Sequence, residues 1–314
     1  MNSRYESPLT FLCGPLRSGT TVLGLMFAHH PSIHAPGEYD FLFDYFDNPI
    51  DATDRNTFVD SLMKDRVFNA SKLVIKSSAT PVEIVRDFVE QLSVNNKHLL
   101  INVHRNFEKI PAIFPDSRFI HLKRDPRDVA KSAIGMGWCG NVYYGVDYWV
   151  DSEKSWDRLI SNIDTHSYTD VSFESVICDT ERELTRICNF IGVDYDEKML
   201  SYPENSTYSL PDVSLTNQWK RKQTKREVQW IESKLGSYLE LKGYQKSGYG
   251  DHVPGILEKS YLWMQNKSYQ YLFGIKRYGL YLFLMEKISR NLRFKDLHKR
   301  YIDRLNEIDM LYLK

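Results

Sequence analysis

A glycine-rich segment at residues 14–21 contains the residue types that bind a phosphate or a sulfate. It reads Gly-Pro-Leu-Arg-Ser-Gly-Thr-Thr and follows an apolar run at residues 9–13. In such a turn successive backbone N–H groups point inward, and the N-terminus of the following helix adds positive potential. Four residues separate Gly14 from Gly19, as in the P-loop of NTPases. The segment, called the anion loop below, therefore predicts an anion site, although glycine-rich turns also join strands to helices for steric reasons alone.

The anion loop differs from an NTPase P-loop in its charged residues. An NTPase has a lysine directly after the second glycine, where this chain has Thr20, and the cation of the loop is instead Arg17. An NTPase also needs an aspartate at a strand end to hold Mg²⁺, whereas the predicted strand at residues 118–123 leads into Arg124. The sequence therefore predicts that protein cations, and not a metal ion, neutralise the bound anion.

A second anion site is predicted at residues 122–132. Arg124 follows a predicted strand, and Ser132 lies eight residues later, about two turns into a predicted helix that has Pro126 in its first turn. A guanidinium fork and a serine hydroxyl can bind one phosphate together. Charged residues at a helix start are often only a solvated face. Together with the anion loop, however, they predict a nucleotide that carries phosphate groups at both ends.

These two motifs resemble those of the sulfotransferases that use 3′-phosphoadenosine 5′-phosphosulfate (PAPS) as donor. The anion loop is similar to the family's 5′-phosphosulfate loop, with Leu16 as an extra residue before the arginine. The resemblance spans roughly residues 8–245 and implies PAPS as donor, 3′,5′-ADP as product and no metal. The nucleotide-binding residues that it implies are Arg17, Ser18, Gly19, Thr20, Thr21, Arg124, Ser132, Phe173, Ser214, Trp219, Lys220 and Arg221.

Two later segments resemble the same family. Phe173 begins a Phe-Glu-Ser-Val sequence where many members have Tyr-Glu-Asp-Leu, so it lacks a tyrosine hydroxyl. Residues 214–221 are similar to a closing segment of many bacterial members, in which a serine, a tryptophan and basic residues cover the nucleotide. Stacking of Trp219 on adenine and simple packing of its ring in the core both stay open.

Glu38 is the predicted catalytic base. Transfer of a sulfonate to a hydroxyl or an amine needs a group that takes the acceptor's proton and cations that stabilise the leaving phosphate. Glu38 lies in a Pro-Gly-Glu sequence that resembles the Gly-Glu setting of carbohydrate- and tyrosine-directed members. Asp40 and Asp44 are alternative bases, and a surface carboxylate without a catalytic role is the ordinary alternative. His104 is interpreted as a structural histidine.

Two cations complete the predicted catalytic set. Lys76 follows a predicted strand at residues 73–75, and the resemblance implies that a strand-end lysine reaches the transferred sulfonate. Arg17 is expected to share the charge of the leaving group. A lone lysine is more often solvated, but the carboxyl end of a parallel strand is where ligands bind.

Strands and helices alternate in the predicted order. Predicted strands cover residues 9–13, 73–75, 99–103, 118–123 and 169–173, and predicted helices cover 20–30, 126–136 and the residues after the N-cap Thr80 and Pro81. This order predicts an α/β fold with a mainly parallel central sheet and helices on both faces. It is the P-loop NTPase-like arrangement that the resemblance to sulfotransferases also implies.

The last part of the chain differs in composition. A boundary is predicted at residue 250, between a PAPS-binding domain (1–250) and a helical extension (251–314). Residues 257–314 hold 12 Lys/Arg and 6 Asp/Glu, which gives 12 − 6 = +6, and 11 aromatic residues. The basic residues include Lys276, Arg277, Lys287, Arg290 and Arg293. A packed helical subdomain is the favoured interpretation, with an anionic membrane surface, a cover for the acceptor cleft and a dimer contact as alternatives.

The overall composition limits the partners. The chain of 314 residues has a formal net charge of zero, so nothing global favours nucleic-acid binding. No apolar stretch reaches the ~18 residues that would span a bilayer. The four cysteines form no CxxC pair, which favours a reducing compartment. We therefore expect a cytoplasmic enzyme, with the option of peripheral membrane contact, that acts on a small-molecule, carbohydrate or lipid-linked acceptor. A P-loop kinase or NTPase and a non-catalytic nucleotide-binding module are the rival interpretations.

Overall fold

Five parallel strands form one sheet in the computed structural model, which describes residues 8–292 and 294–311. The strand order is β2-β3-β1-β4-β5. All neighbouring pairs are parallel, and Cys13 at the end of β1 is aligned with Val103 on one side and His121 on the other. The strand bounds are β1 Leu9–Cys13, β2 Ile33–Glu38, β3 His98–Val103, β4 Arg118–Lys123 and β5 Tyr168–Ser172. The predicted α/β fold is confirmed.

Helices cover both faces of this sheet because successive strand residues point to opposite sides. Phe11 belongs to the buried cluster on one face and Leu12 to the cluster on the other. The helix bounds are α1 Thr20–Ala28, α2 Phe41–Asp44, α3 Arg55–Leu62, α4 Arg66–Ser71, α5 Pro81–Leu92, α6 Ile110–Ile113, α7 Pro126–Gly135, α8 Val142–Gly145, α9 Asp147–Ile160, α10 Phe173–Cys178, α11 Thr180–Ile191, α12 Trp219–Lys222, α13 Lys225–Leu235, α14 Tyr238–Leu241, α15 Ile256–Tyr278, α16 Leu280–Asn291 and α17 Lys295–Met310.

The strand predicted at residues 73–75 is wrong. These residues form no strand, and the backbone N–H and C=O of Val74 bond to the side chain of Gln91 on α5 instead of to a neighbouring strand. The second strand of the sheet is β2, at residues 33–38. It escapes prediction because it contains Pro36 and Gly37, which are rare in strand interiors. An edge position and an irregular register between His34 and Gly37 accommodate them.

The N-cap predicted for α5 is confirmed in detail. The Thr80 hydroxyl accepts a hydrogen bond from the backbone N–H of Glu83, and the Glu83 carboxylate accepts one from the backbone N–H of Thr80. Pro81 occupies the first turn, where its missing N–H is not needed. This capping box begins the helix at the predicted residue.

The described chain divides into two compact units. The sheet unit comprises the residues up to Asp125 together with Tyr148–Arg221, and the helical unit comprises Pro126–Asp147 and the residues from Lys222 onward. The helical unit therefore contains α7, α8 and α13–α17. Residues 126–147 and 222–250 group with the extension in this division, and the domain boundary at residue 250 stays a prediction.

The helical unit has its own polar interior. Arg127 on α7 forms a buried ion pair with Glu232 on α13, with Nη1 and Oε1 2.8 Å apart. The segment between α7 and α8 is bonded to α15, since the Gly140 N–H donates to Asn266 Oδ1 at 2.6 Å and Asn141 Nδ2 donates to the Leu262 carbonyl at 2.8 Å. No described helix, α15 included, combines the length and the apolar content that a bilayer crossing needs. Arg293, named above among the basic residues, lies outside the described residues.

Candidate nucleotide and transfer site

The anion loop occupies the carboxyl end of β1. The Gly14 N–H donates to the Val103 carbonyl at 3.3 Å, and the Ser18 N–H donates to the Pro15 carbonyl at 3.0 Å. Arg17 and Gly19 have φ angles of 72° and 99°, in the left-handed region. These two residues fold the backbone back on itself so that α1 starts at Thr20. The chain therefore makes the tight turn that a phosphate cradle needs.

Ser18 supplies an observation that points to a ligand. The residue is fully buried, and its hydroxyl has no hydrogen-bond partner among the described residues. A buried hydroxyl without a partner costs roughly 1–3 kcal/mol, so proteins rarely keep one. An anionic oxygen held in the loop would accept this hydrogen bond, and the residues present therefore fit a phosphate or sulfonate group.

Arg124, which follows β4, is bonded to the anion loop. Its Nη1 donates to the Arg17 carbonyl at 3.0 Å, and its Nη2 donates to the Leu215 carbonyl at 3.2 Å. The guanidinium carbon lies 4.1 Å from the centre of the Phe173 ring. A β-carbon on Gly19 would lie 2.4 Å from the same ring. The structure thus brings Arg17, Gly19, Arg124 and Phe173 into one cluster in the sheet unit.

This cluster lies at the point where the connections of the sheet diverge. From β1 the chain crosses to β2 on one side, and from β4 it continues to β5 on the other. Ligands of open parallel sheets bind in the crevice at such a point, beside the carboxyl ends of the strands. The sheet order therefore places the anion loop and Arg124 beside the same crevice.

Two residues outside the predicted site hold the end of β4. The Trp149 indole N–H donates to the Arg124 carbonyl at 3.0 Å, and Glu174 Oε1 accepts from the Asp125 N–H at 3.1 Å. Trp149 is fully buried. Burial raises the pKa of the Glu174 carboxyl, and the bond from Asp125 partly opposes that rise. The acidic residue after Phe173 was visible in the sequence, but its contact with residue 125 was not.

Glu38 lies at the end of β2 and contacts the anion loop. The Thr21 hydroxyl donates to Glu38 Oε1 at 2.7 Å. The same oxygen is 3.9 Å from Nε2 of His104, which follows β3. The Glu38 side chain is 42% exposed. Its carboxylate is therefore fixed beside the helix start while remaining open to an incoming group.

His104, which the sequence predicted to be a structural histidine, belongs to a buried network of hydrogen bonds. The Thr20 hydroxyl lies 3.0 Å from His104 Nε2, and Asp40 accepts from both the backbone N–H and the Nδ1 of His104, at 2.7 and 2.9 Å. Burial alone would lower the pKa of His104, but Asp40 and, to a smaller extent, Glu38 raise it above the ordinary value. The signal that could have revealed this network was the placement of a polar residue directly after a central strand.

Asp40 and Asp44, the alternative bases, are both engaged with Arg105. Arg105 lies 3.3 Å from Asp40 Oδ2 and 2.5 Å from Asp44 Oδ2. Burial would raise the pKa of Asp40, yet His104 and Arg105 hold it below the ordinary value. The effect of burial on Asp44 is larger than the opposing effect of its bonds to Arg105, so the pKa of Asp44 is raised. Glu38 is the more accessible of the three carboxylates, since the side chains of Asp40 and Asp44 are only 15% and 12% exposed.

The segment from Ser214 to Arg221 has bonds both within itself and to residues outside it. The Ser214 hydroxyl donates to Asp212 at 2.6 Å, and Arg221 Nη2 donates to the Ser214 carbonyl at 2.5 Å. Trp219 is buried, and Lys220 Nζ lies 5.4 Å from its ring centre. Leu215 of this segment accepts the bond from Arg124 already described, which connects the segment to the cluster of the anion loop.

Lys76 is not joined to this cluster in the structure. Lys76 lies in a loop, is 67% exposed and forms an ion pair with Asp87 of α5. The strand that was the reason for its assignment does not exist, so its position gives that role no support. Ser132 lies on α7 in the helical unit, and its predicted contact with a 3′-phosphate stays a prediction. Among the described residues no group of three His, Cys, Asp or Glu side chains is arranged to hold a metal ion.

Comparisons with known proteins agree with this geometry. The solved sulfotransferase domain of the Synechococcus PCC 7002 olefin synthase is 19% identical, with a TM-score of 0.54, and the match covers 74% of this chain and 96% of that one. The sulfotransferase domain of the curacin biosynthetic pathway is 19% identical, with a TM-score of 0.52 and coverage of 73% and 97%. These likenesses show the shared fold. A search of curated proteins returns no match.

A family model gives the more specific result. It describes the sulfotransferase family and matches residues 8–197, which is more than half of the 314 residues. The match includes the anion loop, Glu38, Arg124 and Phe173. With a parallel sheet, a phosphate-type loop and an arginine bonded to that loop in one place, the chain belongs to the sulfotransferase family.

Proposed function

We propose that this enzyme transfers a sulfonate from PAPS to an acceptor hydroxyl or amine. The observation that carries the proposal is the cluster of the anion loop with Arg124 and Phe173, which contains a buried Ser18 hydroxyl without a described partner. PAPS supplies an activated sulfonate on a 5′-phosphate and a separate 3′-phosphate. The cluster offers N–H groups, a hydroxyl and two arginines to such a ligand, and the resemblance in both motifs selects it among phosphate-bearing nucleotides.

The anion loop is proposed to bind the 5′ end of the donor. The N–H groups at the start of α1, including that of Thr21, and the hydroxyls of Ser18 and Thr20 are donors, and Arg17 places a positive charge where the leaving phosphate gains negative charge. Preorganised donors of this kind need no rearrangement during the reaction. Arg17 therefore acts on the transition state more than on the bound substrate.

The other end of the donor is assigned to Arg124 and its neighbours. Arg124 is held over the Phe173 ring and is already oriented by two carbonyl oxygens. Phe173 offers a ring edge or face to the adenosine. The contributions of Ser132, Ser214, Trp219, Lys220 and Arg221 rest on the resemblance and are part of the same proposal.

Glu38 is the proposed general base. It takes the proton of the acceptor hydroxyl or amine while the acceptor atom bonds to sulfur and the bond from sulfur to the 5′-phosphate oxygen breaks, with the electron pair passing to that oxygen. The hydrogen bond from Thr21 orients the carboxylate toward the loop. His104, whose pKa is raised by Asp40, lies beside Glu38 and Thr20.

Ligand binding separates this proposal from a kinase or NTPase. In isothermal titration calorimetry we expect a binding heat with 3′,5′-ADP and none with ATP and Mg²⁺, because Thr20 replaces the P-loop lysine. Arg124→Ala should weaken binding of 3′,5′-ADP, whereas Arg182→Ala, an exposed arginine on α11, should not. No heat with 3′,5′-ADP for the full chain would overturn the proposal.

Turnover separates an enzyme from a nucleotide-binding module. Incubation with ³⁵S-labelled PAPS and panels of carbohydrate, lipid-linked and small phenolic or alcoholic acceptors should give a labelled product in one class. The product and its class would identify the acceptor. If 3′,5′-ADP binds and no panel is labelled above the rate of PAPS hydrolysis, the chain acts as a binding module.

A further inference from the structure

A cavity of about 620 Å³ lies in the helical unit. It is lined by one face of α15 and one face of α16, together with Gly137 and Trp138 from the segment after α7. The α15 residues, 263, 267, 270 and 271, follow helical spacing, and so do the α16 residues, 283, 287 and 290. The sequence therefore directs both faces into the same space. We call α15 and α16 the hairpin, and this space the hairpin cavity.

Glycines set the geometry of the hairpin. Gly279 has a φ of 79° and joins the two helices. A β-carbon on Gly274 would lie 2.2 Å from the Phe283 ring, so the helices touch near the turn because that position has no side chain. A β-carbon on Gly137 would likewise lie 2.2 Å from the Phe273 ring, so this close contact also needs a glycine. The cavity is thus an open depression between two helices that are packed closely near their turn.

The lining of the hairpin cavity is cationic and aromatic. It contains Lys267, Lys287 and Arg290 and no carboxylate. Lys287 Nζ lies 4.7 Å from the ring centres of both Tyr271 and Phe283, which holds the ammonium without neutralising it.

The ion pairs of these cations leave a positive excess. Arg290 is 3.5 Å from Glu286, which also lies 4.0 Å from His298 Nδ1. Lys267 forms no ion pair with a described residue and is exposed. Two lysine charges in the cavity are therefore available to an anion.

Exposed apolar side chains accompany this charge. On α16, Tyr281, Leu284, Ile288 and Leu292 recur at spacings of three to four residues, and Tyr281 is 71% exposed. On α15, residues 257, 261, 264 and 272 form a similar row, and Trp263 at the cavity is 53% exposed. Exposed apolar side chains that recur in rows on two packed helices mark a contact with a partner molecule or a membrane. Tryptophan and tyrosine beside lysine are the residues that favour a membrane–water interface.

The net charge of the hairpin segment favours one partner for this surface. The segment 257–314 carries +6 while the whole chain is neutral. A second copy of the hairpin would bring the same positive charge against the first, whereas a bilayer that contains anionic phospholipid brings phosphates to the lysines and acyl chains to the apolar rows. The hairpin would then satisfy both its charged and its apolar groups.

We propose that the hairpin docks this protein on the surface of a membrane containing anionic phospholipid, with lipid phosphates in the hairpin cavity and the apolar rows in the outer acyl region. The docking is peripheral, since no described helix is suited to cross a bilayer. It requires neither PAPS nor the chemistry of the anion loop, and it would hold the enzyme where lipid-linked acceptors are found.

The test is co-sedimentation of the full-length protein with vesicles. We expect binding to vesicles of phosphatidylcholine with phosphatidylglycerol, little binding to pure phosphatidylcholine, and release as the salt concentration rises. Lys267→Glu with Lys287→Glu should weaken binding by roughly tenfold or more, because each basic residue near an anionic surface contributes about 1 kcal/mol. The matched control, Lys64→Glu with Lys198→Glu, makes the same charge change at exposed sites in the sheet unit and should bind as the parent does.

Two further measurements keep the outcome decisive. Lys267→Glu alone breaks no described ion pair, so it should weaken binding without lowering the melting temperature even if the double variant folds poorly. Tyr281→Ser with Leu284→Ser and Ile288→Ser should weaken binding at unchanged charge. Equal binding to both vesicle types, no binding, or binding indifferent to Lys267 would overturn the proposal. So would binding of millimolar glycerol phosphate, measured by calorimetry, by a protein that binds no vesicles, or loss of a dimer in the serine variant with no vesicle binding by the parent.

Discussion

The anion loop and the hairpin cavity are both proposed to bind anions, but they obtain their positive potential from different groups. In the anion loop the donors are backbone N–H groups, a buried hydroxyl and an arginine whose backbone lies in the left-handed region. In the hairpin cavity the charge comes from lysine side chains, one exposed and one held by aromatic rings. The first arrangement is fixed by the backbone, while the second depends on the side chains of two helices.

We expect this difference to distinguish the binding of a single ligand from the binding of many different phosphates. Backbone donors in a buried turn have one geometry, so they suit a single ligand in a single orientation. Long lysine side chains on a surface adapt to many phosphates and are screened by salt. We therefore expect the anion loop to be intolerant of small substitutions and insensitive to salt, and the hairpin to show the opposite behaviour.

Gly19→Ala should have the largest effect. The new β-carbon would lie 2.4 Å from the Phe173 ring, at a φ of 99° that side chains rarely adopt. Calorimetry should detect no binding of 3′,5′-ADP, while vesicle binding stays unchanged. Gly192→Ala is the control, because that glycine has a φ of 95° but its β-carbon meets no atom closer than 3.9 Å. Retained nucleotide binding in Gly19→Ala would show that the loop is not the rigid cradle described.

Glu38→Gln should affect turnover without affecting affinity. The amide keeps the size of the carboxylate and can still accept the hydrogen bond from Thr21, but it cannot take the acceptor's proton. We expect kcat to fall by roughly 10²–10⁴-fold, the usual contribution of a general base, with the affinity for 3′,5′-ADP within about twofold of the parent. Glu204→Gln, an exposed glutamate of the same unit, is the control. Turnover unchanged by Glu38→Gln would remove Glu38 as the base.

Asp40→Asn should produce a pH-dependent loss of stability in the sheet unit. Asp40 has a lowered pKa, so its contribution is present above its unfolded pKa of about 3.8 and is lost as the pH falls through the lower folded value. His104 has a raised pKa, so its contribution is present below about 6.5 and is lost as the pH rises through the higher folded value.

The pair is therefore complete between about pH 4 and 6.5. The difference in melting temperature between parent and Asp40→Asn should be largest in this window and should shrink at alkaline pH. Thermal unfolding followed by circular dichroism across pH 4–9 measures it. A difference independent of pH would mean that Asp40 acts only through packing and neutral hydrogen bonds.

Salt should have the smallest effect on the anion loop. Raising the NaCl concentration from 0.05 to 0.5 M shortens the screening length from about 14 to about 4 Å, which weakens exposed charge pairs much more than buried ones. We expect affinity for 3′,5′-ADP to change by only a few-fold, while vesicle binding through the hairpin is abolished. Equal salt sensitivity of the two would erase the distinction between a backbone site and a side-chain site.

The sequence alone determined the elements whose signals are local. β1, β3 and β4 are apolar runs followed by turns or polar residues, and the capping residues of α5 are readable in order along the chain. The anion loop could also be recognised, because its glycines and hydroxyl side chains have a fixed spacing within eight residues. The family resemblance rests on such local patterns, and the family model agrees with it.

Only the tertiary structure decided which side chains meet. β2 is held by pairing with β3 despite its proline and glycine, whereas the more apolar residues 73–75 are left to the Gln91 side chain, so Lys76 does not end a strand. The bond from Arg124 to the Arg17 carbonyl joins residues 107 positions apart. Local spacing carries no record of such contacts, because they follow from strand order and from competition among segments for the same core. The residue types of the anion loop are therefore readable from its own eight residues. Its contacts with Arg124, Phe173 and Glu38 follow from the order of the strands in the sheet.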